Sequence, residues 1–92
     1  MMSPNATQNA FQTRELALRQ MRQLLEKMRN QLQQLSKKNR QDRKRWKKIK
    51  RSRGHLKQAF YEVTLADQHT WQKVQPRIIR TFQRAQHVLE NS

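Results

Sequence analysis

From Phe11 onward the apolar residues of this chain recur at spacings of three and four: Phe11, Leu18, Met21, Leu25, Met28, Leu32 and Leu35, then Trp46, Ile49, Leu56, Phe60 and Val63. Such spacing lays one stripe along a helix and forms the seam of a coiled coil. Glycine is absent until Gly54, and Pro4 and Pro76 are the only prolines. The pattern predicts one long helix over residues of about 8–52, preceded by a disordered segment 1–7. The same register places Arg14, Asn39, Asp42 and Arg53 on the seam, so polar layers interrupt it. Leu16, Ala17 and Leu24 widen the apolar face of the first half beyond a strict seam.

The only glycine lies in "SRGH", residues 52–55, where a left-handed residue can end a helix and reverse the chain. Folding back at residues 53 and 54 sets Ile49 opposite Phe60, Trp46 opposite Val63, and the polar pair Asn39 and Asp42 opposite Asp67 and His69. Farther from the bend, Leu35 faces Trp71 and Val74, Met28 faces Ile78, Leu25 faces Phe82 and Leu18 faces Leu89. Continuity of the heptads through Leu56 and Phe60 argues instead for one helix that runs past Gly54 at a cost of about 1 kcal/mol, but the matching of layers favours the turn. Pro76 lacks the donor for the carbonyl four residues back, which predicts a kink or break between helices of about 56–74 and 76–90. The expected fold is all-α: a long, coiled-coil-like antiparallel helical hairpin forming a single domain over residues 8–92, with its second arm kinked or broken at Pro76.

Composition narrows the class further. At 92 residues and a mean hydropathy of −1.22, the chain has little to spend on a conventional core, and small domains of this size are marginal. A narrow helical seam of Leu18, Met21, Leu25, Met28, Leu32, Leu35, Trp46, Ile49, Phe60, Val63, Trp71, Ile78 and Phe82 is the expected core. Pairing of that seam with a second copy, as a homodimer, or with a helical protein partner is expected alongside it.

Charge points to the partner. The formal net charge is +15, from 21 Lys and Arg against six Asp and Glu. Eleven of the 21 fall between Lys37 and Arg53, where Asp42 is the single acid. In helical projection these cations occupy every position flanking the stripe of Trp46 and Ile49, and like charges one turn apart repel. A polyanion relieves that repulsion, and nucleic acid, RNA or DNA, is the expected one. The expected phosphate contacts are Lys37, Lys38, Arg40, Arg43, Lys44, Arg45, Lys47, Lys48, Lys50, Arg51, Arg53 and Lys57. Arg77, Arg80 and Arg84 make a second, weaker ridge that reads as a solvated face. The alternative is a helical coupling module whose basic tip binds an acidic protein surface.

The segment "RQDRKRWKKIKRSR", residues 40–53, resembles in type the arginine-rich motifs of viral and phage RNA-binding proteins, short basic helices that lie in RNA grooves. Lysines stand at many positions where such motifs carry arginine. The resemblance therefore implies phosphate contact more than bidentate base reading.

Other chemistries find no support in the residues. With no cysteine, and with His55, His69 and His87 scattered, neither a metal site nor a cofactor is expected. No Gly-rich phosphate loop and no acid/base pair suggests catalysis, so no enzyme is expected. The N-terminus lacks the basic and apolar regions of a signal peptide and no long apolar run occurs, which makes a membrane partner unexpected and a cytoplasmic location, or a nuclear one in a eukaryotic host, the expected address.

Overall fold

Short polar capping residues, rather than Gly54 or Pro76, divide the chain. The computed structural model describes residues 9–35 and 38–91. Among them run three long helices: α1, Arg14–Gln34; α2, Arg40–Leu65; and α3, Gln68–Asn91. Each begins at a side chain that accepts from the first turn. Thr13 Oγ1 accepts from the Leu16 N–H at 3.1 Å, Asn39 Oδ1 from the Gln41 N–H at 2.9 Å, and Asp67 Oδ1 from the Thr70 N–H at 2.7 Å. These bonds satisfy donors that a helix start leaves without partners. α1 and α2 end at Leu35 and Ala66, both extended, whose N–H groups still donate to Gln31 and Val63 at 3.2 Å.

The fold is all-helical, as expected, but the single hairpin is replaced by three helices. Gly54 lies inside α2 with an ordinary negative φ, so the reversal expected at residues 52–55 is absent. The reason is energetic. Ile49 and Leu56 on either side of Gly54, and Ala59 and Val63 beyond, are buried along one stripe. Each large apolar side chain so buried contributes about 1.5–3 kcal/mol, more than the roughly 1 kcal/mol that a helical glycine costs.

Pro76 is likewise inside a helix, and the expected helices of about 56–74 and 76–90 do not exist: residues 56–65 belong to α2. Trp71, Ile78, Phe82 and Ala85 are buried on both sides of the proline and hold α3 together across it. Pro76 and Gln72 are both exposed, so the carbonyl deprived of its donor lies on the solvent side. The expected disorder of residues 1–7 lies outside the described residues.

Successive helices run in opposite directions. Arg14, at the start of α1, reaches the carbonyl of Ala66 at the end of α2, while Arg53 reaches that of Leu25 midway along α1. Arg45, early in α2, reaches Leu89 near the end of α3. α1 and α3 therefore point the same way. The segment before α1 is tied to α3 as well: Trp71 Nε1 donates to the Gln12 carbonyl at 3.4 Å, Gln75 Nε2 to that of Phe11 at 2.7 Å, and the Phe11 and Phe82 rings meet edge to face at 4.9 Å. The layer matching of the hairpin is consequently lost, and Phe82 meets the ring of Phe11 edge to face.

The core lies between the three helices, which together measure 46 × 32 × 17 Å. Of the seam residues, Met21, Met28, Ile49, Val63, Trp71, Ile78 and Phe82 are buried, and Leu18, Leu25, Leu32, Leu35 and Phe60 pack against them half-buried. Trp46 is half-buried at the edge. Phe11, Ala17, Leu24, Leu56, Ala59 and Ala85 complete the cluster. Burial of the seam is thus achieved within one chain. No helix among the described residues is long and apolar enough to cross a membrane.

An uninterrupted α3 has a measurable consequence. Pro76→Ala restores the missing hydrogen bond and raises the free energy of unfolding by about 1–3 kcal/mol in urea denaturation. A chain broken at this proline gains nothing from the change.

Candidate nucleic-acid interface

The buried stripe of α2 determines which of its cations face outward. At 3.6 residues per turn, Arg40, Arg43, Lys44, Lys47 and Arg51 fall opposite Ile49 and Leu56, and Lys48, Lys50 and Lys57 fall on the flanks of that stripe, all eight exposed. They form one continuous arc along the outer surface of the helix. Lys38 is exposed just before it. Lys37 lies outside the described residues.

Two expected contacts turn inward instead. Arg45 Nη2 donates to the Leu89 carbonyl at 3.3 Å, and Arg53 Nε donates to the Leu25 carbonyl at 3.2 Å. Neither α1, α2 nor α3 carries a basic residue in its own last turn. A neighbouring helix supplies the cation: Arg45 bonds a carbonyl at the end of α3, and Arg14 Nη1 bonds that of Ala66 at 3.3 Å, just past the end of α2. Cations there satisfy orphan acceptors and oppose the negative end of the helix dipole. The Nε–H groups of Arg14 and Arg45 are buried without a hydrogen-bond partner. Each guanidinium nonetheless donates to a carbonyl of another helix or its cap, which ties it to the fold.

The outward arc is placed where it destabilises its own helix. Arg40 and Arg43 occupy the first turn of α2, at the positive end of the dipole, with Asp42 the acid of that turn, and Lys44 follows directly. Positive charge there is unfavourable by a few tenths to about 1 kcal/mol per residue, and each also repels its neighbours one turn away. An anion beside this end is attracted by the side chains and by the helix terminus together.

A groove runs along one flank of the arc. It is an open depression of about 680 Å³ between the last turns of α1 and the middle of α2, with Leu32, Leu35 and Trp46 as its apolar members and Arg29, Lys50, Arg53 and Lys57 around it. The Lys50 ammonium sits 4.5 Å from the centre of the Trp46 ring, in cation–π range. Gly54 also lines it, and a Cβ built there meets nothing within 4 Å. Arg29 has no place in the basic run of the sequence. Its membership follows only from the antiparallel packing of α1 on α2, which no local signal announces.

On the other flank, Arg77 of α3 forms a bidentate ion pair with Glu62 of α2. The hydrogen bond from Arg77, with its charge, holds the Glu62 carboxyl below its ordinary range, and Glu62 in turn raises Arg77. Hydrogen bonds from Thr70 lower Asp67 in the same direction. Arg77 is thus paired, while Arg80 and Arg84 stay exposed beyond it. No group of three or more His, Asp or Glu side chains among the described residues is arranged to hold a metal ion.

No protein-family model matches this chain, and neither a curated protein nor a solved structure matches it at a significant level.

The two lowered carboxylates fix a pH response. A carboxyl with a depressed native pKa stabilises the fold above its unfolded pKa, and that contribution is lost as pH falls through the native value. Because both carboxylates are exposed, the resulting drop in melting temperature on acidification from about pH 5 downward should be small. The double substitution Glu62→Gln with Asp67→Asn should flatten that part of the curve and leave a lower, less pH-dependent melting temperature; an unchanged slope means that these groups contribute nothing.

Proposed function

We propose that this protein binds nucleic acid, contacting the phosphate backbone of RNA or DNA through the outer arc of α2, without catalysis. One observation carries the reading: eight exposed cations line a single helix, two of them in the first turn where they oppose the helix dipole, with Asp42 the one acid among them. A fold gains nothing from that placement. A polyphosphate does, because each neutralised phosphate releases condensed counterions. Arg40, Arg43, Lys44, Lys47, Lys48, Lys50, Arg51 and Lys57 are the proposed contacts, with Lys38 beside them, whereas Arg45 and Arg53 support the helix that presents them. The contacts position the ligand, and lysine predominates among them, so affinity arises more from charge than from base reading.

A second reading has one observation in its favour. Tyr61 and Leu65, one turn apart on α2, are 69% and 82% exposed. Beside a basic arc they suit a coupling module that meets an acidic protein surface with an apolar contact. Such a complex survives salt through its apolar part, whereas phosphate binding does not.

Replacing Lys47, Lys48, Lys50 and Arg51 together with Gln should leave helicity by circular dichroism unchanged and reduce affinity for an oligonucleotide at least a hundredfold at low salt. The slope of log K against log salt should become shallower by roughly 3 to 4, from about 0.9 per phosphate on duplex DNA. Unchanged affinity and slope remove α2 from the interface.

A further inference from the structure

Gly54 is the only glycine in the chain and stands inside a 26-residue helix. Nothing in the fold requires it. Its φ is negative, no neighbour approaches the space a Cβ would fill, and it is exposed. An alanine there would favour the helix. The residue does, however, open a notch in the cationic row between Lys50, one turn before it, and Lys57, one turn after it. That notch lines the groove over Leu32, Leu35 and Trp46. Glycine on a helix surface allows the backbone of a ligand to come close.

We infer that the groove between α1 and α2 takes one unstacked nucleotide of a single strand, its base against Trp46, Leu32 and Leu35 and its sugar-phosphate crossing α2 at Gly54. This assignment rests on the nucleic-acid reading above and adds to it a preference for single strands over duplex. Charge and shape both argue for that occupant. The groove volume of about 680 Å³ falls in the range of small-ligand pockets, roughly 300–1,000 Å³. Its apolar members suit one flat group, whereas an amphipathic peptide helix requires a row of anchors at successive turns. Arg29, Lys50, Arg53 and Lys57 supply positive charge around it. The Lys50 ammonium on the Trp46 ring is exchangeable: a base that stacks on the indole displaces it toward the phosphate that accompanies the base. In duplex the bases are stacked and paired, so only the outer arc engages.

The test compares a single-stranded oligonucleotide with its duplex by fluorescence anisotropy, using the full chain and the variants Gly54→Ala, Gly54→Leu and Trp46→Leu, with urea midpoints measured in parallel. The wild type should prefer the single strand. Gly54→Ala should unfold at higher urea yet bind the single strand more weakly. Gly54→Leu and Trp46→Leu should lower single-strand affinity about tenfold, within the range of one lost base stack, with duplex affinity held within about twofold. Should Gly54→Leu not fold, Gly54→Ala carries the comparison, because its Cβ enters open space. Equal loss on both ligands, or no loss on either, overturns the groove assignment while leaving phosphate binding by the arc intact. Absence of binding to both by the wild type overturns the two readings together. An acidic amphipathic peptide whose binding depends on Gly54 while that of the oligonucleotide does not overturns the choice of a nucleotide.

Discussion

Like-charge repulsion along α2 is the constraint to which the rest of the molecule responds. The helix holds eight outward cations and has to remain docked through one narrow stripe, Ile49, Leu56, Ala59 and Val63. A two-helix hairpin covers such a stripe from one side. Three helices cover it from both, with α1 and α3 flanking α2, and the core then closes through Met21, Met28, Trp71 and Ile78. The inward cations serve the same end. Arg45 and Arg53 convert two charges of the crowded segment into bonds to carbonyls of α3 and α1, so that part of the repulsion becomes attachment.

That division of labour gives the helix two faces of different purpose. The inner face is held by apolar burial and by guanidinium–carbonyl bonds that salt screens weakly. Asp42 is the single acid among the cations of the outer face, and the Glu62–Arg77 salt bridge lies farther along. Such exposed pairs contribute little to stability. The proposed role in phosphate binding joins the two faces physically: an anion that neutralises the outer arc removes the term that opposes docking of the inner one.

The helical class and the core were legible in the sequence because heptad spacing and burial obey the same period. The boundaries were not. Asn39 and Asp67 sit in register with the apolar stripe and read as polar layers of a seam, yet their side chains cap helices. Gly54 and Pro76, the strongest local punctuation, are overridden by buried neighbours on both sides. The cationic run was equally plain, but which of its members point inward depends on where the other helices lie. Arg45 and Arg53 therefore looked like phosphate contacts, and Arg29, distant in sequence, did not look like part of a site.

The most direct measurement is the melting temperature of the intact chain at low ionic strength, followed by circular dichroism with and without a saturating oligonucleotide. Ligand binding to the folded state alone raises it by linkage, and relief of repulsion on α2 makes the increase largest in dilute buffer. The expected result is a rise of several degrees that disappears as salt is added. A melting temperature indifferent to RNA and to DNA in dilute buffer would contradict the assignment of this helix to a polyphosphate.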